Sequence, residues 1–274
     1  MIEGDFTDIN RIMDSVSPLW GVCKFSSIKN RLIDCRAKSR LPQNAESVLI
    51  ACFPYLLAED NYKGSNISKY AVVTDYHDVA INRLKNACEE LSKLYPENAF
   101  VPFADNSPIP EVRAALCAGL GVCGKNSLLI TEEFGSYVFL GEIVTDLKFE
   151  ATENAAKNCI GCGKCVEACP AAAINENGID SAKCVSAITQ KKGELTEEEK
   201  ELMINCGCVW GCDICQDICL MNKNAAVTQI KEFLSDPEPV LTGETELDGR
   251  AYAWRGKKVI VRNLSIINQG ENGR

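Results

Sequence analysis

Two closely spaced sets of cysteines are the residues in this chain best suited to chemistry. The first set, in residues 159–170, has the spacing C-x2-C-x2-C-x3-C-P. In runs of this kind three thiolates bind one cubane cluster and the fourth binds a second cluster. A second set is therefore required, and it follows in residues 184–219. The spacing predicts two 4Fe–4S clusters, each of which carries about one electron.

Each cluster is expected to take ligands from both sets, because the two ends of the chain cross over in such folds. The predicted ligands are Cys159, Cys162, Cys165 and Cys219 for the first cluster and Cys169, Cys184, Cys212 and Cys215 for the second. A pair of zinc knuckles is the alternative, but zinc sites usually separate two C-x2-C pairs by a longer loop. For the extra Cys206 and Cys208, an alternative ligand register, a redox pair and buried thiols all stay open.

The composition fits an intracellular redox protein. Sixteen cysteines in 274 residues would suggest disulfides in a small secreted domain, but the sequence opens without a basic, apolar, cleavable leader. No apolar run approaches the roughly 20 residues that a membrane helix needs. We therefore expect a cytoplasmic protein with no membrane contact. A net charge of −9 argues against broad polyanion binding, so any contact with nucleic acid must be local.

The predicted elements divide the chain into two main regions, one with strands and helices in alternation and one rich in cysteine. Apolar runs predict strands at residues 48–53, 99–103 and 137–144, and apolar periodicity predicts helices at 75–94 and at 111–120, the latter ended by Gly121. The fold class is therefore α+β, with a mixed α/β domain (1–150) followed by a ferredoxin-like two-cluster domain (151–225). Residues 150–158 are expected to be the linker, and 226–274 a basic C-terminal extension.

The common nucleotide motifs are missing from the sequence, because no Gly-x-Gly-x-x-Gly follows a strand and no phosphate loop occurs. The chain has one histidine, His77. Its surroundings nearly match Asp-x-His-x-x-Gly, by which some cobalamin proteins supply a histidine to cobalt, but Ala80 replaces the glycine. Asp75 is a suitable helix N-cap, so the pattern favours a partly buried histidine near a helix start.

Several blocks of the sequence resemble successive blocks of the epoxyqueuosine reductase family. They are Ser68-Lys-Tyr-Ala71 with Asp75-Tyr-His77, Pro102-Phe-Ala-Asp105-Asn-Ser-Pro108 with Glu111, Ala118-Gly-Leu-Gly-Val-Cys-Gly-Lys-Asn-Ser-Leu-Leu-Ile130, Gly135-Ser-Tyr-Val-Phe-Leu-Gly-Glu-Ile-Val-Thr145, Cys184-Val-Ser186 and Trp210-Gly-Cys-Asp-Ile-Cys-Gln216. The resemblance covers roughly residues 45–267. It implies a cobalamin-binding domain akin to that of reductive dehalogenases, fused to a two-cluster domain. It also implies an enzyme that converts epoxyqueuosine to queuosine in the tRNA anticodon loop.

The resemblance assigns roles to individual residues. It makes Asp105 the proton donor, for which burial beside Phe103 is expected to raise the pKa; a turn cap is the alternative. The cofactor contacts that it implies are Tyr76, Asp105, Gly121, Lys125, Asn126, Ser127 and Ser186, with Gly119 and Gly124 in the same loop, although glycines here could equally serve as ordinary turn residues. His77 is not assigned to cobalt, because the family holds its corrinoid without a protein base.

The partners expected are a tRNA anticodon loop and an external low-potential electron donor such as a ferredoxin or flavodoxin. The family meets tRNA near Lys191 and Lys192, although these two lysines could equally be a solvated charge pair. The chain is expected to act as a monomer. Longer members of the family continue into a helical-repeat domain that helps to grip tRNA, whereas this sequence stops at Arg274 and is expected to be a short form. The basic residues Arg255 and Arg262 align with the family's last blocks.

Two further departures from the family are visible in the sequence, and two other functions stay possible. Leu220 follows the last cluster cysteine where proline is common, and Val122-Cys123 stands where an aromatic residue is common. One alternative function is a related corrinoid reductase that acts on a small molecule or another corrinoid protein. The other is a ferredoxin-type electron carrier whose α/β domain is a docking module.

Overall fold

The computed structural model describes residues 6–152 and 158–272. The strands are β1 (Leu19–Lys24), β2 (Ser47–Pro54), β3 (Phe100–Phe103), β4 (Val122–Cys123), β5 (Leu129–Ile130), β6 (Val138–Thr145), β7 (Ile174–Asn175) and β8 (Gly178–Ile179). The helices are α1 (Phe6–Val16), α2 (Lys69–Val72), α3 (Tyr76–Leu94), α4 (Glu111–Cys117), α5 (Lys164–Glu167), α6 (Val185–Gln190), α7 (Glu197–Cys206), α8 (Ile214–Asp217), α9 (Lys231–Leu234) and α10 (Lys257–Asn272).

The chain divides into two units, and each is assembled from segments that are separated in sequence. The first consists of Met1–Phe53, His77–Cys123 and Val138–Asn158, and the second of Pro54–Tyr76, Gly124–Tyr137 and Cys159–Arg274. The three consecutive domains expected from the sequence therefore differ from this division, because 54–76 and 124–137 group with the cysteine-rich part and 226–274 is not separate. Residues 153–157 of the expected linker lie outside the described residues.

The first unit contains a four-stranded sheet with the order β1-β2-β6-β3. β2 lies inside the sheet, and all eight of its residues are buried, as is usual for a strand covered on both faces. β1 pairs with it antiparallel, with Leu19 opposite Cys52, and β3 pairs antiparallel with β6, with Phe100 opposite Thr145.

Helix α3 packs on this sheet through an apolar stripe. Its buried residues recur at helical spacing, and they are Val79, Ala80, Leu84, Ala87, Cys88 and Leu91. Gly141 of β6 permits the close approach, because a Cβ atom at this position would lie 2.9 Å from Cδ1 of Leu84 and 3.2 Å from Cε2 of Phe53. This contact holds the middle of α3 against the sheet, about two turns after His77.

Most elements expected in the first unit are confirmed, with one boundary shifted. β2, β3, β6 and α3 agree with the predicted segments within two residues. The helix expected at 111–120 ends earlier, at Cys117, because Gly119 adopts a left-handed backbone with φ 71°. A left-handed glycine just past the last turn is a common helix terminator, and Gly119 rather than Gly121 serves as one here.

The regular elements of the second unit are mostly short helices joined by loops. Trp210, Tyr252 and Phe233 are among its largest fully buried side chains. The buried Asn263 of α10 donates hydrogen bonds to the backbone oxygens of Thr189 and Val209, which ties the last helix to α6 and to the segment before the last cysteines. None of the helices in the described part of the chain is long and apolar enough to cross a membrane.

Candidate metal centre and active site

The first predicted set of cluster cysteines lies together in the second unit. Gly161 and Gly163 adopt left-handed backbone conformations, with φ 70° and 79°, which glycine reaches at little cost and which turn the loop back at the start of α5. The sulfur-bearing residues Cys159, Cys162, Cys165 and Cys219 line one small cavity. Lys125 and Asn126 line the same cavity.

The second predicted set also lies within electrostatic reach of one another. Burial raises the pKa of the Cys184 thiol, and the charges of Cys212 and Cys169 raise it further. Burial likewise raises the pKa of Cys215 to about 12, opposed by a hydrogen bond from Asn126. The Ala173 amide donates to the Cys169 sulfur at 3.3 Å, the kind of N–H···S contact that accompanies cluster thiolates.

The extra thiols lie beside this second set. A hydrogen bond between Cys206 and Cys212 raises the pKa of Cys206 and lowers that of Cys212. Burial raises the pKa of Cys208 to about 12. Cys206 thus contacts a predicted ligand.

Within residues 6–152 and 158–272, no three His, Cys, Asp or Glu side chains converge as they would on a single metal ion. A cubane cluster distributes its four thiolates around several iron atoms, so the sulfurs lie farther apart than on one zinc ion with Zn–S bonds of about 2.3 Å.

The predicted proton donor lies in a strained loop of the first unit, after β3. Asp105 and the next residue, Asn106, have φ 51° and 32°, a region that few residues other than glycine adopt and that Asp and Asn tolerate best. The Asp105 side chain is 56% exposed, and its Oδ2 lies 3.3 Å from Nε2 of His77. Such backbone strain is often retained at functional sites.

The expectation that burial raises the pKa of Asp105 is wrong. The hydrogen bond with His77 lowers the pKa of this carboxyl, and the accompanying burial only partly opposes it. The sequence could not show this, because His77 is 28 residues away and reaches Asp105 only through the packing of α3.

A second carboxyl stands beside Asp105 at the start of α4. Burial, followed by the charge of Asp105, raises the pKa of Glu111 to about 7. The residue as a whole is half-buried, but its Oε1 is shielded from solvent and has no hydrogen-bond partner among the described residues. The Asp105 backbone amide donates to the Glu111 carboxylate, so the two acids are physically linked.

A third carboxyl, Glu142, lies inside β6 with no exposed surface. The Ser107 hydroxyl donates to its Oε1, while its Oε2 has no partner among the described residues. Burial, then the charge of Glu111, raises the pKa of Glu142 well above the usual range. Sequence reasoning missed this residue, although a lone acid in an apolar strand is a signal that could have found it.

Asp105 and Glu111 open onto a cavity of about 590 Å³ in the first unit. Its mixed wall includes Ile33, Cys35, Asn106, Ser107, Arg113, Leu116 and Cys123. The volume falls within the range of ligand pockets.

The other predicted cofactor residues have different surroundings. Lys125 is exposed, while Asn126 is buried without an oxygen or nitrogen partner among the described residues. The Ser127 hydroxyl accepts a hydrogen bond from the Ile179 amide at 3.2 Å. The amide of Ser186 donates a hydrogen bond to the Cys184 thiol. Tyr76 is the first residue of α3, and Gly121 lies in the loop after α4.

The paired cysteine sets and their surrounding fold define an iron–sulfur protein with two clusters. Residues 158–222 match the protein-family model described as "4Fe-4S double cluster binding domain", and clusters rather than zinc knuckles follow from that match. Residues 36–106 match the model described as "Epoxyqueuosine reductase QueG, DUF1730".

The chain belongs to the epoxyqueuosine reductase family. It is 33% identical over 265 residues to the epoxyqueuosine reductase of Listeria monocytogenes, an alignment that covers 89% of this chain and 69% of that protein. The Lactococcus garvieae enzyme is 33% identical over 78% of this chain and 64% of its own length, and the Bacillus cereus enzyme is 36% identical over 70% and 53%. The chain thus spans roughly half to two thirds of these relatives.

Solved structures share the fold. The epoxyqueuosine reductase from Streptococcus thermophilus superposes with a TM-score of 0.81 at 22% identity, covering 98% of this chain and 81% of that one. An epoxyqueuosine reductase with an epoxyqueuosine-modified tRNA stem loop gives 0.77 at 24% identity, covering 96% and 80%. A catabolic reductive dehalogenase gives 0.51 at 16% identity over 93% of this chain and 34% of its own. The α+β fold expected from the sequence is confirmed.

Proposed function

We propose that this chain reduces epoxyqueuosine to queuosine in tRNA. The observation that carries the proposal is Asp105, held in strained backbone next to His77 at a cavity, in a chain whose other unit gathers two sets of cluster cysteines. Removal of the epoxide oxygen as water requires two electrons and two protons. The site therefore needs an electron path and at least one positioned acid.

The electron path consists of the two cysteine sets. We propose ligation of one cluster by Cys159, Cys162, Cys165 and Cys219 and of the other by Cys169, Cys184, Cys212 and Cys215. An external low-potential donor, such as a ferredoxin or flavodoxin, would load the clusters one electron at a time. Cytoplasmic location and a monomeric state complete this part of the proposal.

Cobalamin is the cofactor of the family, and when bound it would supply the two-electron reduction chemistry that removal of an epoxide oxygen requires. One feature of the second unit fits a large polar cofactor. The amide N–H of Asn126 donates to the Cys215 sulfur, but its buried Oδ1 has no hydrogen-bond partner among the described residues. Gly124 keeps space beside it, because a Cβ there would clash with that amide. We propose that Lys125 and Asn126 hold the cofactor, with Tyr76, Gly121, Ser127 and Ser186 as further contacts.

Asp105 is proposed to protonate the departing oxygen. Its half-exposed carboxyl can reach a bound substrate, and His77 holds it through the 3.3 Å contact between Nε2 and Oδ2. The lowered pKa means that the resting carboxyl is ionised at neutral pH. Asp105 must therefore gain a proton during the cycle before it can donate one.

The second unit offers cations for a tRNA loop. Lys191 is less available than expected, because its Nζ pairs with Glu199 at 2.8 Å. Arg262 donates to the backbone oxygens of Lys191 and Gly193, so it supports this segment and brings α10 beside it. The exposed Lys192, Lys257 and Lys258 are left to face phosphate.

Trp254, which sequence reasoning missed, adds an aromatic surface. It is 59% exposed, and the guanidinium of Arg255 lies 3.7 Å from its ring centre. Exposed aromatic rings commonly stack on unpaired bases in RNA loops. We propose that Trp254 stacks on a base of the anticodon loop.

The test is anaerobic turnover with reconstituted protein, reduced donor and either tRNA-borne epoxyqueuosine or the free nucleoside, followed by mass spectrometry of nucleosides. We expect queuosine from the tRNA substrate and little from the free nucleoside. If both substrates are converted equally well, the protein is a small-molecule corrinoid reductase. The same conclusion follows if neither substrate is converted while a small electrophile is reduced. A protein that binds clusters but no cobalamin would point to an electron carrier.

A further inference from the structure

Two acids near Asp105 lie outside the proposed transfer of its proton to the substrate. Glu111 and Glu142 each carry one buried carboxyl oxygen without a partner among the described residues. A buried carboxylate with an unsatisfied oxygen is costly, whereas its protonated form is much less so. The arrangement therefore favours at least one bound proton at neutral pH.

The surroundings of Glu142 and Glu111 give the two carboxyl groups different proton affinities. Glu142 is entirely buried, and this burial raises its pKa and favours its neutral form. Burial and the charge of the Asp105 carboxylate favour the protonated form of Glu111. His77 and the hydrogen bond from the Asp105 amide act in the opposite direction and favour its ionised form. The other titratable side chains on this cavity are Cys35, Arg113 and Cys123. Glu111 is thus the acid that changes charge near neutral pH.

We propose that Glu111 stores a proton and reprotonates Asp105 during turnover. The inference rests on the proposed reductase function. Glu111 acts through Asp105, so it is a positioning and proton-supplying residue rather than one that touches the substrate.

The proton balance shows why a store is useful. Asp105 gives one proton to the departing oxygen, but release of that oxygen as water consumes two. Transfer of the Glu111 carboxyl proton to the Asp105 carboxylate restores the acid, and Glu111, now ionised, takes a proton from water in the cavity. No carbon bond changes at either residue, and the net result is passage of protons from solvent to product.

The first test is the pH dependence of turnover in the reconstituted holoenzyme. We expect wild-type activity to fall as pH rises through about 7, because Glu111 must be protonated. Glu111→Gln should lose about tenfold or more in turnover near neutral pH, since general acid steps contribute 10²–10⁴-fold and only the resupply is removed. The activity of Glu111→Gln should no longer decrease as pH rises through about 7. Glu111→Asp should again show a decrease with rising pH, but at a different midpoint.

The matched control is Glu97→Gln, the same substitution at an exposed position in the same unit. It should keep the wild-type profile. If Glu111→Gln keeps the wild-type fall near pH 7, or if Glu111→Asp behaves like Glu111→Gln, the inference is overturned while the reductase function stands.

The second test does not depend on activity. Infrared difference spectra of the holoenzyme should be recorded between about pH 5 and about pH 9, a range that brackets the raised pKa of Glu111. They should show loss of a protonated carboxylic acid with a midpoint near about pH 7. The signal should persist in Glu97→Gln and vanish in Glu111→Gln. Its persistence in Glu111→Gln would assign the proton elsewhere. Absence of any epoxyqueuosine reduction by wild type, with the infrared signal present, would instead remove the proposed function.

Discussion

Asp105, Glu111 and Glu142 are three carboxyl groups in one small region, and their surroundings give them different proton affinities. The hydrogen bond with His77 lowers the pKa of Asp105, whereas burial raises the pKa of Glu142 well above its usual range. Burial and the charge of Asp105 raise the pKa of Glu111 to about 7. Separation of pKa values among neighbouring acids is a common feature of sites that move protons. The sequence blocks located Asp105 and Glu111, but only the packing of α3 and β6 against the loop shows how they differ.

The raised pKa of Glu111 also predicts how stability depends on pH. Between the unfolded pKa of 4.5 and the folded pKa of about 7, the folded chain binds more protons than the unfolded chain, so stability falls as pH rises. Glu111→Gln removes the cost of ionising this carboxyl in the folded protein. It should therefore stabilise the protein above about pH 7 by about 1–3 kcal/mol, with little change near about pH 4.

Urea unfolding of wild type and Glu111→Gln at several pH values checks this expectation. Glu97→Gln serves again as the control and should follow wild type throughout. An equal stability difference at acid and alkaline pH would mean that the substitution acts through packing and not through ionisation.

Asp105→Asn should separate binding from chemistry. The amide keeps the shape of the side chain but removes the proton, so turnover should fall by roughly 10²–10⁴-fold, as is usual for loss of a positioned acid. Cobalamin absorbance and iron content should not change. Wild-type turnover in this variant would leave Asp105 as a turn residue only, and loss of cobalamin would indicate a cofactor-binding role.

At the scale of elements, the short helices α5 and α8 each carry a cysteine of a different predicted cluster, Cys165 and Cys215. The spacing of the cysteines was sufficient to predict two sets, because ligand spacing is a local property of the chain. The interleaved segments 54–76 and 124–137 could not be predicted in the same way. Their assignment depends on long-range contacts such as the hydrogen bond from the Tyr55 amide to the Tyr137 carbonyl.

The cysteine assignment predicts which cluster each substitution damages. Anaerobically reconstituted protein should contain about eight irons and eight sulfides, as two cubanes require. Cys162→Ala and Cys215→Ala should impair different clusters, which electron paramagnetic resonance can distinguish. Cys206→Ser and Cys208→Ser should keep the full iron content, although Cys206 contacts Cys212. Loss of a cluster in either serine variant would revise the ligand set.

For the molecule as a whole, a net charge of −9 must be reconciled with the proposed polyanionic substrate. Few cations are placed to meet phosphate, so the salt dependence of tRNA binding should be shallow. For about three to five neutralised phosphates on a single-stranded loop, the slope of log K against log salt should be roughly −2 to −3.5. Fluorescence anisotropy with a labelled anticodon stem loop measures this slope.

Lys192→Gln should weaken that binding and reduce the magnitude of the slope by about 0.7, the contribution of one phosphate contact. Lys85→Gln, at an exposed lysine of α3, is the matched control and should leave the slope unchanged. Equal effects of the two substitutions would place the tRNA contact elsewhere on the protein.

Complementation of cells that lack epoxyqueuosine reductase, with tRNA nucleosides analysed by mass spectrometry, tests the proposed reduction of epoxyqueuosine in vivo. We expect the wild-type chain to convert the accumulated epoxyqueuosine to queuosine and the Asp105→Asn chain, expressed at the same level, to leave it unconverted. Persistence of epoxyqueuosine in cells whose wild-type protein carries both clusters and cobalamin would contradict the account.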